Sequence, residues 1–180
     1  MDLCTIWVSD HISLPVIPHN HDYYQLIYCQ KGVGQIVVGD TTYHAVPGRG
    51  YLVKPMEEHS IMPKDIIRLA EVKFIVETPE LNQGLSQLPT EFEIDEHATL
   101  RLTLKDVIKE GLADTIYSHD ATNAALMLFL IRLLRKNKVT VEHQPWRSFY
   151  FDTPKRRENG DDGEKDADFA VVINYIAWAR

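Results

Sequence analysis

Apolar and polar residues alternate with a period near two through the first half of the chain and recur every three to four residues further on. The segments "TIWV", "YYQLIYC", "GQIVVGDTTYHAV", "GYLVKP", "HSIM", "IIRLAEVKFIV" and "EFEI" between Thr5 and Ile94 read as short strands separated by turn residues. In "IRLAEVKFIV" the alternation sets Ile67, Leu69, Glu71, Lys73 and Ile75 on one face and Arg68, Ala70, Val72, Phe74 and Val76 on the other. Gly39-Asp40 predicts a two-residue hairpin loop, in which Gly takes a positive φ without steric cost, and Pro47, Gly48 and Gly50 predict a second tight turn. Short strands at this spacing predict a barrel or sandwich rather than βαβ units.

Beyond Asp95 the period changes. Leu100, Leu104, Val107, Ile108 and Leu112 predict an amphipathic helix ending near Gly111. A second helix is expected from about Asp120, read as its N-cap, to Lys136, with Arg132, Arg135 and Lys136 where the helix dipole favours cations. The run "AALMLFLIRLL" carries apolar side chains around almost its whole circumference, which predicts a subunit interface beside the intramolecular contact. Lys155 to Asp168 is almost all charge and glycine and reads as a solvated linker, after which "FAVVINYIAWAR" is helical again, its stripe lacking an obvious partner. The chain is expected to stop within a further module.

Composition narrows the class. At 180 residues the chain suits one domain of ordinary size with an appendage, and its 44% apolar and 25% charged residues are those of a globular protein. The net charge of −7 argues against an extensive nucleic-acid surface, because phosphate binding needs clustered Lys and Arg. Cys4 and Cys29 are too few for a disulfide scaffold and no basic leader precedes an apolar segment, so a cytoplasmic location is expected. The longest apolar run, Ala124 to Ile131, falls far short of the roughly 20 residues that span a bilayer, and no membrane partner is expected.

Candidate chemistry concentrates in "HNHDYYQ". In an extended segment His19 and His21 leave the same face, followed there by Tyr23 and Gln25, and His59 on a later strand can close from across a barrel. Three converging imidazoles hold Zn, Fe, Mn or Ni, and an open fourth position permits catalysis. The competing reading is a metal-free recognition pocket, because Gln25 is a neutral, weak metal donor where a carboxylate would add charge. His11, His44, His97, His119 and His143 are expected in solvated or capping roles. Tyr23, Tyr24, Tyr28, Tyr43 and Tyr51 are expected as core or pocket wall, with some, Tyr23 and Tyr51 among them, offering hydroxyls to a ligand. No phosphate loop, nucleophile elbow or CxxC is present, and no catalytic residue is expected.

The stretch "HNHDYYQLIYCQKGVGQIVVGDTTYHAVPGRGYLVKPMEEHSI" resembles the N-terminal cupin of AraC-family transcriptional regulators: an H-x-H segment, a Tyr-rich strand, a G-x-G turn, a "PG" turn and a "P…HS" strand in that order. "LAEVKFIVETPELNQGLSQLPTEFEID" resembles the family's late barrel strands, the two helices its dimerisation helices, and "FAVVINYIAWAR" the opening helix of its DNA-binding half. The resemblance implies a mainly β fold with α, a cupin-like, jelly-roll type barrel followed by two helices forming a dimer interface. It implies a barrel over residues 1–95 with a movable arm at 1–18, helices over 96–138, a linker over 139–168, and over 169–180 the start of a DNA-binding domain. It further implies a non-enzymatic sensor that binds a small-molecule effector, a sugar or another metabolite, as a homodimer and meets DNA only through that following domain; no cofactor is expected besides the divalent metal that the three histidines could hold. Carried over, His19, His21, Gln25 and His59 fall on pocket positions and Leu126, Phe129, Leu130, Leu133 and Leu134 on the interface helix. The alternative is a small metal-dependent cupin enzyme, an isomerase or dioxygenase, with His19, His21 and His59 as ligands.

Overall fold

The computed structural model describes residues 3–140, so the expected linker, apart from its first two residues, and the expected terminal helix lie outside the described residues. In chain order the elements are β1 (Leu3–Ser13), β2 (Val16–His19), β3 (Tyr24–Lys31), β4 (Gly34–Val38), β5 (Thr41–Ala45), β6 (Arg49–Val53), β7 (His59–Pro63), β8 (Ile67–Val76), α1 (Pro79–Ser86), β9 (Glu91–Glu93), α2 (Ala98–Gly111) and α3 (Ser118–Lys136). Among the described residues nine antiparallel strands form two sheets, one of five strands in the order β1-β8-β3-β6-β9 and one of four in the order β2-β7-β4-β5. This is the double-sheet architecture that the alternation predicts, in the cupin-like form that the resemblance implies, with helices added.

The five-stranded sheet is buried on both faces. Ile27, Cys29, Tyr51, Val53, Ile67 and Leu69 face inward and pack against Ile36, Val38, Ala45 and Ile61 of the four-stranded sheet. Their sequence neighbours Tyr24, Leu26, Leu52, Val72 and Phe74 belong to a second cluster with Leu100, Leu104 and Val107 of α2 and Leu126, Phe129, Leu130 and Leu133 of α3. Alternation along β3 and β8 therefore has apolar side chains on both faces, as a sheet covered on both sides requires. The turns follow their glycines: Gly39 takes φ 55° between β4 and β5, and a Cβ at Gly32 would lie 2.1 Å from the Ile66 carbonyl oxygen.

Four expectations need correction. Leu126, Phe129, Leu130 and Leu133, expected at a subunit interface, are fully buried against their own sheet, and Leu134 packs at the edge of the same cluster. The sheet's outer face needs this cover, and α3 supplies it. Residues 1–18, expected as an arm, are over Leu3–Ser13 an edge strand paired with β8 and pinned by a two-pronged Arg68 to Asp10 contact of 2.7 and 3.1 Å. The stretch expected to hold only late strands contains α1, whose Pro79 at the first helical turn is the usual start signal and whose Leu85 is buried. Finally, α3 begins at Ser118 behind Tyr117, leaving Asp120 in the first turn rather than at the cap.

Leu130→Ala is expected to cost about 2–5 kcal/mol of stability through the cavity it leaves, whereas Leu128→Ala on the exposed side of α3 should cost less than about 1 kcal/mol. Urea denaturation of both variants checks this, and a mild Leu130→Ala would return that residue to an interface.

Candidate functional site

One end of the space between the sheets is polar. His19 closes β2 and His59 opens β7, and the two are paired directly across that ladder. After His19 the chain crosses to the other sheet, and His21 sits in the crossing, held by a Met56 N–H that donates to its carbonyl at 2.7 Å. Gln25 belongs to β3. The expected single extended segment from His19 to Gln25 is therefore split between two sheets, and what brings the imidazoles together is the facing of the sheets rather than a two-residue spacing. The ring centroids lie 4.2 Å apart for His19 and His59, 4.8 Å for His21 and His59, and 5.9 Å for His19 and His21.

Each ring is oriented by the backbone. The Nδ1 atoms of His19, His21 and His59 lie 3.0, 2.9 and 3.1 Å from the carbonyl oxygens of Ile17, Tyr23 and Glu57. A carbonyl only accepts, so each Nδ1 carries the proton and each Nε2 keeps its lone pair in the neutral ring. One ring nitrogen from each of the three lies within 4.8 Å of the others, and Nε2 of His59 is buried without a hydrogen-bond partner. Burial, reinforced by His19, His21 and Lys73 and opposed by the Glu57 carbonyl, pulls His59 from the ordinary imidazole range down to about 4. Nδ1 fixed on a carbonyl with a free Nε2 is how ligating histidines are usually held. The donor set fits a divalent cation of the Zn, Fe, Mn or Ni type held by His19, His21 and His59, which would supply a Lewis-acidic position for an oxygen of a bound molecule.

Behind the histidines lies a buried polar chain. Gln25, 3% exposed, has Oε1 at 2.9 Å from His21 Nε2 and donates from Nε2 to Glu71 at 3.1 Å. The second Glu71 oxygen is 3.7 Å from His11 Nε2. Glu71 and His11 were missed as site residues. The signal for Glu71 was its place among Ile67 and Leu69 on one face of the alternating β8, where a lone carboxylate is out of keeping with a packed interior. Tyr23, expected to offer a hydroxyl to a ligand, stacks on His21 with ring centroids 3.8 Å apart and planes 8° apart. Tyr51 differs: it is fully buried in the apolar end and its hydroxyl donates to the His44 carbonyl at 2.8 Å, so the expected ligand hydroxyl is already committed to the core.

The architecture is that of a cupin-like domain. Residues 13–108, just over half of the chain, match the family model of the AraC-like ligand binding domain. The chain belongs to that family. Among solved structures, apo ToxT from Vibrio cholerae is similar at 13% identity with a TM-score of 0.50, over 81% of this chain and 60% of that one. A cupin superfamily protein from Desulfitobacterium hafniense matches at 17% identity, TM-score 0.35, over 38% of this chain and 63% of that one. A conserved protein of unknown function from Streptococcus pyogenes matches at 14% identity, TM-score 0.37, over 43% of this chain and 68% of that one. The chain thus spans less than two thirds of ToxT and of the Desulfitobacterium protein. No curated protein matches the sequence. Among the described residues no helix is long and apolar enough to cross a membrane.

His59 stays neutral in the folded protein down to about pH 4, whereas in the unfolded chain a histidine takes its proton near 6.5. Between those values the unfolded state binds more protons, so stability is full above about pH 6.5 and falls as pH drops towards 4, by roughly 3 kcal/mol. Urea denaturation of chelator-treated protein from pH 8 to 4 should display this slope in the wild type and a shallower one in His59→Gln.

Proposed function

We propose that this chain is the sensing domain of a bacterial cytoplasmic transcription regulator, taking a small hydroxylated metabolite, such as a sugar, at the polar end between its sheets. The observation that carries this reading is the two-sided sheet. Gln25 and Glu71 point to the polar cluster while their neighbours Tyr24, Leu26 and Val72 pack in the cluster that holds α2 and α3. A ligand that shifts Gln25 or Glu71 therefore acts one residue away from the helix contacts. A coupling of about 1–3 kcal/mol between two helix arrangements suffices for regulation, transmitted to a DNA-binding domain joined beyond the helices.

A thermal-shift screen of sugars and other metabolites tests the reading, since a ligand at 100 times its Kd adds about 2.7 kcal/mol. We expect a hit in wild type that is lost in Gln25→Ala; a hit that Gln25→Ala and Glu71→Ala both retain would move the effector elsewhere.

Dimerisation through these helices uses their outer side. Leu102 on α2 and Leu128 on α3 are 56% and 42% exposed, apolar positions that the intramolecular cluster does not use. Leu102→Asp with Leu128→Asp should give monomers in analytical ultracentrifugation with stability changed by less than about 1 kcal/mol; a wild-type monomer at high micromolar concentration would argue against the homodimer.

A second reading, a small metal-dependent isomerase or dioxygenase, is favoured by the three converging imidazoles. Oxygen uptake or isomerisation of a thermal-shift hit by metal-loaded protein, abolished in His21→Ala, would establish it, and binding without turnover would leave the sensor.

A further inference from the structure

We infer that Glu71 acts through Gln25 as a positioning residue, turning a neutral amide into an oriented, polarised fourth donor beside the three histidines. The inference rests on reading those histidines as a divalent-metal centre. Its geometry is a relay from His21 Nε2 to Gln25 Oε1 at 2.9 Å and from Gln25 Nε2 to Glu71 Oε2 at 3.1 Å.

Two chemical constraints give the relay its direction. A carboxylate has no N–H to offer, so the amide nitrogen of Gln25 must face Glu71 and its carbonyl oxygen must face His21. His21 in turn has Nδ1 committed to the Tyr23 carbonyl, so its Nε2 could donate to Gln25 only if the ring carried a second proton and a charge. A cation shared by the two atoms removes this conflict: both lone pairs then serve one centre. Donors at about 2.1 Å from one ion and at right angles to each other lie about 3.0 Å apart, close to the separation seen here.

The charge follows from the same arrangement. An amide oxygen is a weak donor because it carries only a partial negative charge. An N–H bond to a buried carboxylate pushes electron density towards the carbonyl oxygen, and inside the protein such polarisation is stronger than in water. Glu71 is 7% exposed, and Gln25 stands between it and His21. The negative charge that a ligating carboxylate would place on the ion is thereby set one residue back, with His11 at 3.7 Å on its far side. Glu71 is also what holds Gln25 in one of its two amide orientations, since without it the donor and acceptor ends could exchange.

Titration of chelator-treated protein with Zn2+ and Co2+, read by isothermal calorimetry and Co2+ absorption, tests this. His21→Ala should lose the bound ion, which ties the signal to this centre. Glu71→Gln should weaken affinity about 10- to 100-fold. The exchanged pair, Gln25→Glu with Glu71→Gln, keeps a carboxylate-amide hydrogen bond and sets the charge on the near side; it should bind at least as tightly as wild type, a recovery that a purely structural Glu71 would not yield. Wild-type affinity in Glu71→Gln, or an exchanged pair that folds and binds no better than Glu71→Gln, overturns the relay while leaving the metal centre standing. Wild-type protein that takes up neither ion overturns both.

Discussion

Because β3 and β8 carry apolar side chains on both faces, the five-stranded sheet has to be covered twice, and the rest of the molecule follows from the two covers. The four-stranded sheet closes the inner face, and α2 and α3 close the outer one. Full burial of a side chain such as Phe129 or Leu130 is worth about 1.5–3 kcal/mol, so a helix that supplies several of them cannot easily leave the sheet. The same requirement explains why β1 is held as an edge strand and why the apolar circumference of α3 is mostly consumed within one subunit.

The inner space is divided. At one end Tyr51, Ile36, Leu69 and their neighbours pack it solid. At the other, polar groups replace them: backbone carbonyls hold the three Nδ1 atoms and Glu71 accepts from the Gln25 amide, while His21 Nε2 and Gln25 Oε1 turn lone pairs towards each other. Nε2 of His59 is likewise buried without a hydrogen-bond partner. The polar groups are thus gathered at one end of the space between the sheets, and the apolar cluster fills the other. Gln25 and Glu71 lie on the strands that also hold the helices, so the site and the helices share two strands rather than a long path.

The local chemistry of the chain was largely legible. The turn at Gly39-Asp40, the faces of β8, the extents of α2 and α3 and the grouping of His19, His21 and His59 all follow from periods, turn residues and motif resemblance. Less legible were the features in which one element answers to another. The buried side of α3 looked like a subunit interface because its apolar surplus can be read from sequence but the area of sheet awaiting cover cannot. Glu71 and His11 joined the site through cross-strand register, which pairs Glu71 with Ile27 on β3 and with Ser9 on β1. Tyr51 left it because its hydroxyl found the His44 carbonyl across the barrel.

By itself, the sequence determined the two periodicities, the turns, the absence of an uninterrupted membrane-length apolar run and the histidine and glutamine supply, since these depend on residues close together in the chain. Only the tertiary structure decided which apolar face meets which, that three imidazoles from different elements present free nitrogens to one another, and that a carboxylate stands behind Gln25. Those are separations through space between residues distant in sequence, and they arise only when two sheets close over a shared interior.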